Sequence, residues 1–305
     1  MMRLAFYARR FGLPLLGAAM CLRMAGDAGA RPGPARMAFA DAMPKTVVWA
    51  WEEPEDLRTA DARAVGVAYL DETLLLGEGG GLTVRHRHQP LAVAPGAAVM
   101  AVVRIETGRG FADSPGLRLQ TADELAEAAQ RAGVRTLQVD FDATRSERGF
   151  YAAVLRALRL QMPAGMPLSI TALASWCGEG GGWLAGLPID EAVPMFFRLG
   201  GDAKPYADKS WIAVREPLCR GSVGISTDES WPRVDGAARV YVFAPRPWTK
   251  AQLAAVAGID TASARPAVLR VGDDPAHAGH GINDTGLPRP AGARQSSSDH
   301  EGYQP

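Results

Sequence analysis

The chain has 305 residues, of which 47% are hydrophobic and 22% are charged, so it can bury a large core. Basic and acidic residues number 33 each, and this zero net charge gives no electrostatic reason to expect nucleic acid or an anionic membrane as the main partner. Apolar runs recur evenly between residues 46 and 262, which predicts a single domain there.

The first 30 residues have the pattern of a secretory signal peptide. Arginines at positions 3, 9 and 10 precede a short apolar stretch over residues 11–22, and Ala28-Gly-Ala30 matches an A-x-A cleavage site. The stretch is too short to span a bilayer, so no integral membrane span is expected after signal removal. A cytoplasmic N-terminus and lipidation at Cys21 are the alternatives. We therefore expect a periplasmic or secreted protein.

A link rich in proline, alanine and glycine, residues 31–45, precedes eight predicted strands. The strands cover residues 46–51, 64–70, 98–106, 134–141, 167–176, 192–198, 222–229 and 238–244, and residues 72–76 with 82–88 resemble a hairpin. Capping boxes at Thr121–Glu124 and Thr144–Glu147 predict the starts of two helices, and a last helix is expected near 249–257. The tail over residues 272–305 has the composition of a disordered segment.

Eight strands, several of them followed by helices, predict an α/β fold: a (β/α)₈ TIM-like barrel with some helices reduced to loops. A doubly wound open sheet is the alternative, but the glycine fingerprint of dinucleotide binding is absent. In a barrel of this kind the active site lies at the carboxyl ends of the strands. The strand ends are therefore where functional residues are expected.

Two carboxylates, Asp140 and Asp142, stand two residues apart at the end of the fourth predicted strand. Strand side chains alternate between faces, so these two share one face, roughly 6.5 Å apart along the strand axis. Burial and mutual repulsion would raise at least one pKa, as a general acid at neutral pH requires. A buried ion cluster held by Arg104 and Arg198 is the structural alternative.

Other strand ends carry acidic, basic and aromatic residues. We assign a catalytic role to Glu52 together with Asp140 and Asp142, although an acid beside Pro54 also suits a helix start. Tryptophans at strand ends could stack on sugar rings or complete the core, and acids there could be turn residues. The expected substrate-binding residues are Trp49, Trp51, Arg104, Glu106, Trp176, Arg198 and Asp228.

No metal or cofactor is expected from the sequence. It contains no C-x-x-C, no H-E-x-x-H and no phosphate-binding loop, and His86 and His88 are interpreted as an exposed polar edge. Cys177 and Cys219 could form a disulfide in an oxidising compartment, and two buried thiols are the alternative.

Four strings of the sequence, at residues 47–54, 137–148, 167–177 and 193–198, resemble the bacterial family called domain of unknown function 3142, over roughly residues 45–260. This family implies no particular activity. A more distant likeness is to chitinase-type glycoside hydrolases, whose fourth barrel strand ends in D-x-x-D-x-D-x-E. Asp140 and Asp142 match the last two aspartates, whereas Leu137 replaces the first and Thr144 replaces the catalytic glutamate.

These observations favour an exported barrel that acts on carbohydrate as a glycoside hydrolase using strand-end carboxylates. The proton donor would be Asp142 or Glu52, with Asp140 as its partner carboxylate or electrostatic stabiliser. The alternative is a barrel of the cell envelope that binds carbohydrate or peptide without cleaving it. The missing glutamate favours that second hypothesis. The expected partner is a carbohydrate or another small polar ligand.

Overall fold

A computed structural model describes residues 41–77, 80–178, 182–200, 214–230 and 237–259. The predicted signal peptide, Cys21, most of the link, the boundary at residue 262 and the tail lie outside these residues and remain predictions.

Eight parallel strands close into a barrel, which confirms the predicted fold. The described residues contain eleven strands: β1 (Thr46–Ala50), β2 (Glu55–Leu57), β3 (Val65–Leu76), β4 (Leu82–His86), β5 (Leu91–Val93), β6 (Val99–Thr107), β7 (Val134–Asp140), β8 (Leu168–Leu173), β9 (Glu191–Met195), β10 (Ser222–Ser226) and β11 (Arg239–Phe243). The barrel order is β1-β3-β6-β7-β8-β9-β10-β11, and β1 pairs with both β3 and β11, which closes the ring of eight strands.

In the described residues, helices follow only some of the barrel strands, as the sequence predicted. The helices of the described residues are α1 (Pro115–Ala129), α2 (Arg148–Gln161), the single turn α3 (Ala174–Cys177), α4 (Lys250–Ala257) and a 3₁₀ turn at Pro217–Cys219. The long helices α1 and α2 follow β6 and β7 and bury their apolar faces against β6 to β9.

The predicted start of α1 at Thr121 was wrong. The helix begins at Pro115, because Ser114 accepts a hydrogen bond from the Leu117 N–H and proline suits the first helical position. Thr121 is buried inside the helix, and its hydroxyl donates to the Leu117 carbonyl at 2.7 Å. The Ser-Pro pair was therefore the decisive signal.

The region after β1 also differs from the prediction. The residues that follow Pro54 form β2, which pairs in parallel with β5, instead of starting a helix. The predicted hairpin is confirmed, since β4 runs antiparallel to β3, but β3 is one continuous strand with a bulge between Leu70 and Glu72.

Alternate residues of the barrel strands point into the barrel and form a core of their own. On β7, Leu137 and Val139 pack outward against the helices, so Gln138 and Asp140 face inward. The inner core is mainly apolar and aromatic; its buried members include Val47, Trp49, Met100, Val102, Val193, Phe197, Tyr241 and Phe243. Where the strands end, their last inward-facing side chains lie at the mouth of the barrel.

Candidate active site

A cleft of about 650 Å³, including its open mouth, lies at the carboxyl ends of the strands. The residues that line it are Trp49, Trp51, Asp140, Asp142, Thr171, Leu173, Ala174, Met195, Phe197, Arg198, Leu199 and Phe243. Both aspartates of the predicted pair therefore open into one cleft.

Asp140 is the last residue of β7 and is held in place by its neighbours. The Thr171 hydroxyl on β8 donates to one carboxylate oxygen of Asp140 at 2.6 Å. The Arg104 guanidinium on β6 lies 3.6 Å from the other oxygen. Strand register explains these contacts, because Arg104 and Asp140 are partners on adjacent strands. Asp140 thus presents a fixed carboxylate at the base of the cleft.

Asp142 differs from Asp140 in its environment. The pKa of Asp142 is raised from 3.8 to about 7: burial is the largest cause, the nearby charge of Asp140 adds to it, and the charge of Arg104 partly opposes both. No described residue donates a hydrogen bond to the Asp142 carboxyl group. A carboxyl group that still carries its proton near neutral pH can act as a general acid.

Aromatic rings form much of the cleft. Phe197 and Phe243 stack with ring centroids 5.4 Å apart, and Trp51 meets Phe243 edge-on at 6.5 Å. The Arg104 guanidinium lies 5.9 Å from the centroid of the Trp51 ring. Trp51 is the only partly exposed ring among the lining residues, so it is the one positioned to stack on a ligand.

Trp49 lines the cleft but is almost completely buried, with 3% of its surface exposed. Its ring stacks on Tyr241 at 5.3 Å, and its indole N–H donates to Gln138 at 2.8 Å. On β10, Gly224 leaves room for this ring, because a Cβ there would lie 3.1 Å from the indole. Trp49 therefore forms the floor of the cleft and acts mainly as a packing residue.

A buried chain of hydrogen bonds supports this floor from below. The Gln138 amide donates to the Ser169 hydroxyl at 3.1 Å, and Ser169 donates to Glu191 at 3.0 Å. Glu191 also accepts hydrogen bonds from Tyr241 at 2.7 Å and from Arg239 at 2.9 Å. The paired charges and full hydrogen bonding explain how a carboxylate is tolerated inside the barrel.

Arg198 lines the cleft in an unusual backbone conformation. Its φ is +52°, a left-handed value that side chains other than glycine rarely adopt. Two acids hold it there: Glu229 accepts hydrogen bonds from the backbone N–H at 3.0 Å and from Nη1 at 2.6 Å, and Asp228 accepts from Nη2 at 2.5 Å. Arg198 binds these acids instead of the aspartate pair, so only Arg104 of the two proposed arginines contacts that pair.

Asp228 is thus a partner of Arg198 and not a residue of the cleft lining. Its pKa is lowered, because the hydrogen bonds from Ser226 and Arg198 together outweigh the effect of burial. The strand β10 ends at Ser226, so both acids lie in the turn after it, which matches the turn-residue alternative.

Glu52 and Glu106 also lie outside the lining residues. Glu52 forms an ion pair with Arg85 at 3.3 Å, and Glu106 forms one with Arg104 at 2.8 Å. The structure therefore does not bring Glu52 together with the aspartate pair, whereas Glu106 is connected to it through Arg104.

The structure places Trp176 in the outer core and not in the cleft. The predicted strand stops at Leu173, and α3 turns the next side chains with helical instead of alternating spacing. Trp176 is 2% exposed and packs edge-on against Trp183 at 4.8 Å. Its predicted role in substrate binding has no geometric support.

The sequence reasoning missed several lining residues, among them Thr171, Leu173, Met195, Phe197, Leu199 and Phe243. Each lies at or just after the end of β8, β9 or β11, so the strand-end rule could have identified them. They were overlooked because most are apolar, and an apolar residue next to a strand resembles core.

The position of the catalytic glutamate in chitinase-type enzymes is occupied by Thr144, which is exposed. Glu147 does not replace that glutamate. Its carboxylate accepts hydrogen bonds from the Thr144 N–H at 2.7 Å, the Thr144 hydroxyl at 2.6 Å and the Thr107 hydroxyl at 2.6 Å. Glu147 caps this turn structurally, although α2 itself begins at Arg148, later than the capping box predicted.

Cys177 and Cys219 form a disulfide, with Cα atoms 5.8 Å apart. The disulfide joins the end of α3 to the 3₁₀ turn before β10, and the Cys177 carbonyl accepts hydrogen bonds from Arg215 and Glu216. The two cysteines are therefore bonded to each other and are not two separate buried thiols.

No helix in the described residues is both long and apolar enough to cross a membrane. In the same ranges, no group of three or more His, Cys, Asp or Glu side chains is arranged to hold a metal ion.

The model of the family described as "Domain of unknown function (DUF3142)" matches residues 95–187. This segment runs from just before β6 to just before β9 and includes Asp140 and Asp142. The match confirms the family resemblance within these residues, a shorter range than the sequence resemblance suggested. No curated protein matches the chain.

Similar solved structures include a spore cortex-lytic enzyme and the chitinase domain of a spore coat protein. The spore cortex-lytic enzyme SleL of Bacillus cereus is 15% identical, with a TM-score of 0.41, and the alignment covers 60% of this chain and 52% of that one. The chitinase domain of the spore coat protein CotE of Clostridium difficile is 13% identical, with a TM-score of 0.35 and coverage of 58% and 57%. The chain thus spans little more than half the length of these proteins.

Proposed function

We propose that this protein is an exported glycoside hydrolase that binds carbohydrate in the strand-end cleft, with Asp142 as proton donor and Asp140 as the stabilising carboxylate. The observation that carries the proposal is the unequal environment of the two acids. Asp140 is fixed by Thr171 and Arg104, whereas Asp142 has no hydrogen-bond donor among the described residues and faces the open cleft. Two carboxyl groups with different environments divide into an acid and an anion.

In the proposed reaction, Asp142 gives its proton to the glycosidic oxygen as the bond from that oxygen to the sugar's anomeric carbon breaks. The Asp140 carboxylate stabilises the positive charge that develops on the sugar ring. Water then adds to the anomeric carbon and returns a proton to Asp142. The raised pKa of Asp142, about 7, supports the first step at neutral pH.

Glu52 is the weaker candidate for proton donor. It is paired with Arg85 and does not line the cleft, so a substrate held between the aspartates would not meet it. We therefore assign the proton transfer to Asp142 alone.

The proposal predicts a specific response of activity to pH. Activity should fall as pH rises through about 7, because ionised Asp142 cannot donate a proton. The Asp140→Asn change should shift the pKa of Asp142 downward and Arg104→Gln should shift it upward, because the two charges act on that pKa in opposite directions. Carboxyl NMR titration measures both shifts even if activity is lost. Shifts in the same direction would contradict the assigned geometry.

The function itself is tested by incubating the purified protein with a glycan panel and measuring released sugars by mass spectrometry. Asp142→Asn should abolish product release. Asp56→Asn is the matched control, since Asp56 is an exposed aspartate paired with Arg58 away from the cleft. Activity that survives in Asp142→Asn would reject the mechanism.

Export is a separate part of the proposal. It is supported by the pattern of the first 30 residues and by the Cys177–Cys219 disulfide, because such bonds persist in oxidising compartments. Fractionation of cells that express the full chain, with sequencing of the mature N-terminus, tests it. An uncleaved protein found only in the cytoplasm would reject export.

A carbohydrate-binding barrel without catalysis is the second candidate. It is favoured by Thr144, which stands where chitinase-type enzymes have their catalytic glutamate. This hypothesis predicts saturable glycan binding without product release, and the same panel distinguishes it from hydrolysis.

A further inference from the structure

Part of the cleft wall is aliphatic and open to a ligand. It consists of Leu173 at the end of β8, Met195 at the end of β9 and Leu199 a few residues later, which we call the apolar wall. Leu173 and Met195 are register partners on neighbouring strands, so their backbones lie roughly 5 Å apart. All three residues line the cleft and are only partly buried.

Most polar groups of the cleft already bond to one another. Arg198 holds Asp228 and Glu229 with both Nη atoms. The Thr171 hydroxyl donates to Asp140, and the Trp49 indole N–H donates to Gln138. Among the lining side chains, this leaves the Asp142 carboxyl group with no hydrogen-bond donor in the described residues.

This arrangement suits a ligand that is only partly polar. Sugar hydroxyls that leave water need new hydrogen bonds. The Thr171 hydroxyl and the Trp49 indole N–H already donate to protein groups, so the described lining side chains offer few donors to a ligand, among them the Trp51 indole N–H. An aliphatic group gains free energy when it leaves water for an apolar surface, without needing any hydrogen bond. The cleft therefore favours a sugar that carries an apolar substituent.

We infer that the substrate is a glycoside with an alkyl aglycone, and that the aglycone chain lies on the apolar wall while the sugar reaches Trp51. This inference rests on the proposed function, since the aglycone is the group bonded to the oxygen that Asp142 protonates. The protonated oxygen and the first carbons of the aglycone necessarily lie in the same cleft as Asp142. The apolar surroundings also agree with burial as the main cause of the raised pKa of Asp142.

The inference is tested with methyl, butyl, hexyl and octyl β-D-glucopyranosides below their micelle concentrations. Binding to the full protein is measured by calorimetry, with Trp fluorescence as a second readout. The association constant should rise roughly fourfold per buried methylene, which corresponds to ~0.8 kcal/mol each. The heat-capacity change on binding should become more negative with chain length.

Two variants locate the site of chain binding. Met195→Gln, which nearly preserves side-chain volume, and Leu199→Asn should each flatten the dependence on chain length. Leu160→Asn is the matched control, because Leu160 is 89% exposed on α2, outside the cleft lining, and should leave that dependence unchanged.

Equal affinity for methyl and octyl glucoside, or no binding of octyl glucoside, would overturn the inference. Tighter binding of methyl N-octanoylglucosaminide than of octyl glucoside would also overturn it, because the bound chain would then be an acyl group on the sugar and not the aglycone. Glycan cleavage without chain-length dependence would reject the inference but keep the hydrolase. Chain-length dependence without cleavage of any glycan or alkyl glucoside would reject the hydrolase and keep the apolar wall.

Discussion

Replacing Asp142 by asparagine should stabilise the barrel at pH 8 while it removes the proposed proton donor. Burial and the charge of Asp140 raise the pKa of Asp142 from 3.8 to about 7 in the folded protein. The folded state therefore binds this proton more tightly than the unfolded state does. The stabilisation is fully present below pH 3.8 and is lost as pH rises through about 7.

The size of the effect follows from the pKa difference. Between 3.8 and about 7, at 1.36 kcal/mol per pH unit, ionised Asp142 costs the folded state ~4 kcal/mol. Asparagine has nearly the same shape and no charge, so it avoids this cost. Relative to the natural chain, Asp142→Asn should gain little at pH 4 and up to ~4 kcal/mol at pH 8.

The assay is denaturant unfolding at several pH values from 4 to 8, followed by tryptophan fluorescence with the disulfide intact. The measured quantity is the difference in free energy of unfolding between Asp142→Asn and the natural chain. Asp56→Asn serves as the control. The pKa of Asp56 is lowered to about 2 by hydrogen bonds from Arg58, so its difference should stay constant between pH 5 and 8.

A difference for Asp142→Asn that does not change with pH would refute the buried, proton-binding environment. A variant less stable than the natural chain at pH 8 would show that the Asp142 carboxylate is stabilised by contacts the structure lacks. Greater stability combined with lost activity would instead identify a residue kept for function at a cost in stability.

Three further changes test the scaffold by denaturant unfolding. Replacing Cys177 and Cys219 by serine should cost ~4 kcal/mol, because the disulfide closes a loop with a sequence separation of 42, and reduction of the natural chain should have a similar effect. Glu191→Ala should cost roughly 3–5 kcal/mol, since it breaks a buried ion pair with Arg239. Gly224→Ala should cost about 1–3 kcal/mol and alter tryptophan fluorescence, because its methyl would crowd the indole above it. Losses below 0.5 kcal/mol would contradict the respective contact.

The barrel architecture was predictable from the sequence because strand signals are local. Each of the eight predicted strands is found in the closed sheet, since buried parallel strands are continuous apolar runs. Boundaries were less accurate where the chain leaves the sheet. The strands predicted to end at residues 176, 198 and 229 each end three residues earlier, at Leu173, Met195 and Ser226. After Leu173 the helical turn α3 begins, and after Ser226 the chain turns.

The aspartate pair was also predictable, since the period of a strand alone places Asp140 and Asp142 on one face. The assignment of their roles was not. It depends on Thr171 and Arg104, which belong to neighbouring strands and approach Asp140 through sheet register. No pattern within β7, the strand that carries Asp140, contains that information.

The sequence by itself thus determined the strand count, the barrel and the acids at the end of its fourth strand. Only the tertiary structure decided that Arg198 binds Asp228 and Glu229, that Trp176 joins the outer core and that Asp142 lacks a hydrogen-bond donor. The reason is physical: secondary structure depends mainly on residues close in sequence, whereas burial and charge pairing depend on distant residues that come together when the barrel closes. The unequal environments of Asp140 and Asp142 arise from these tertiary contacts.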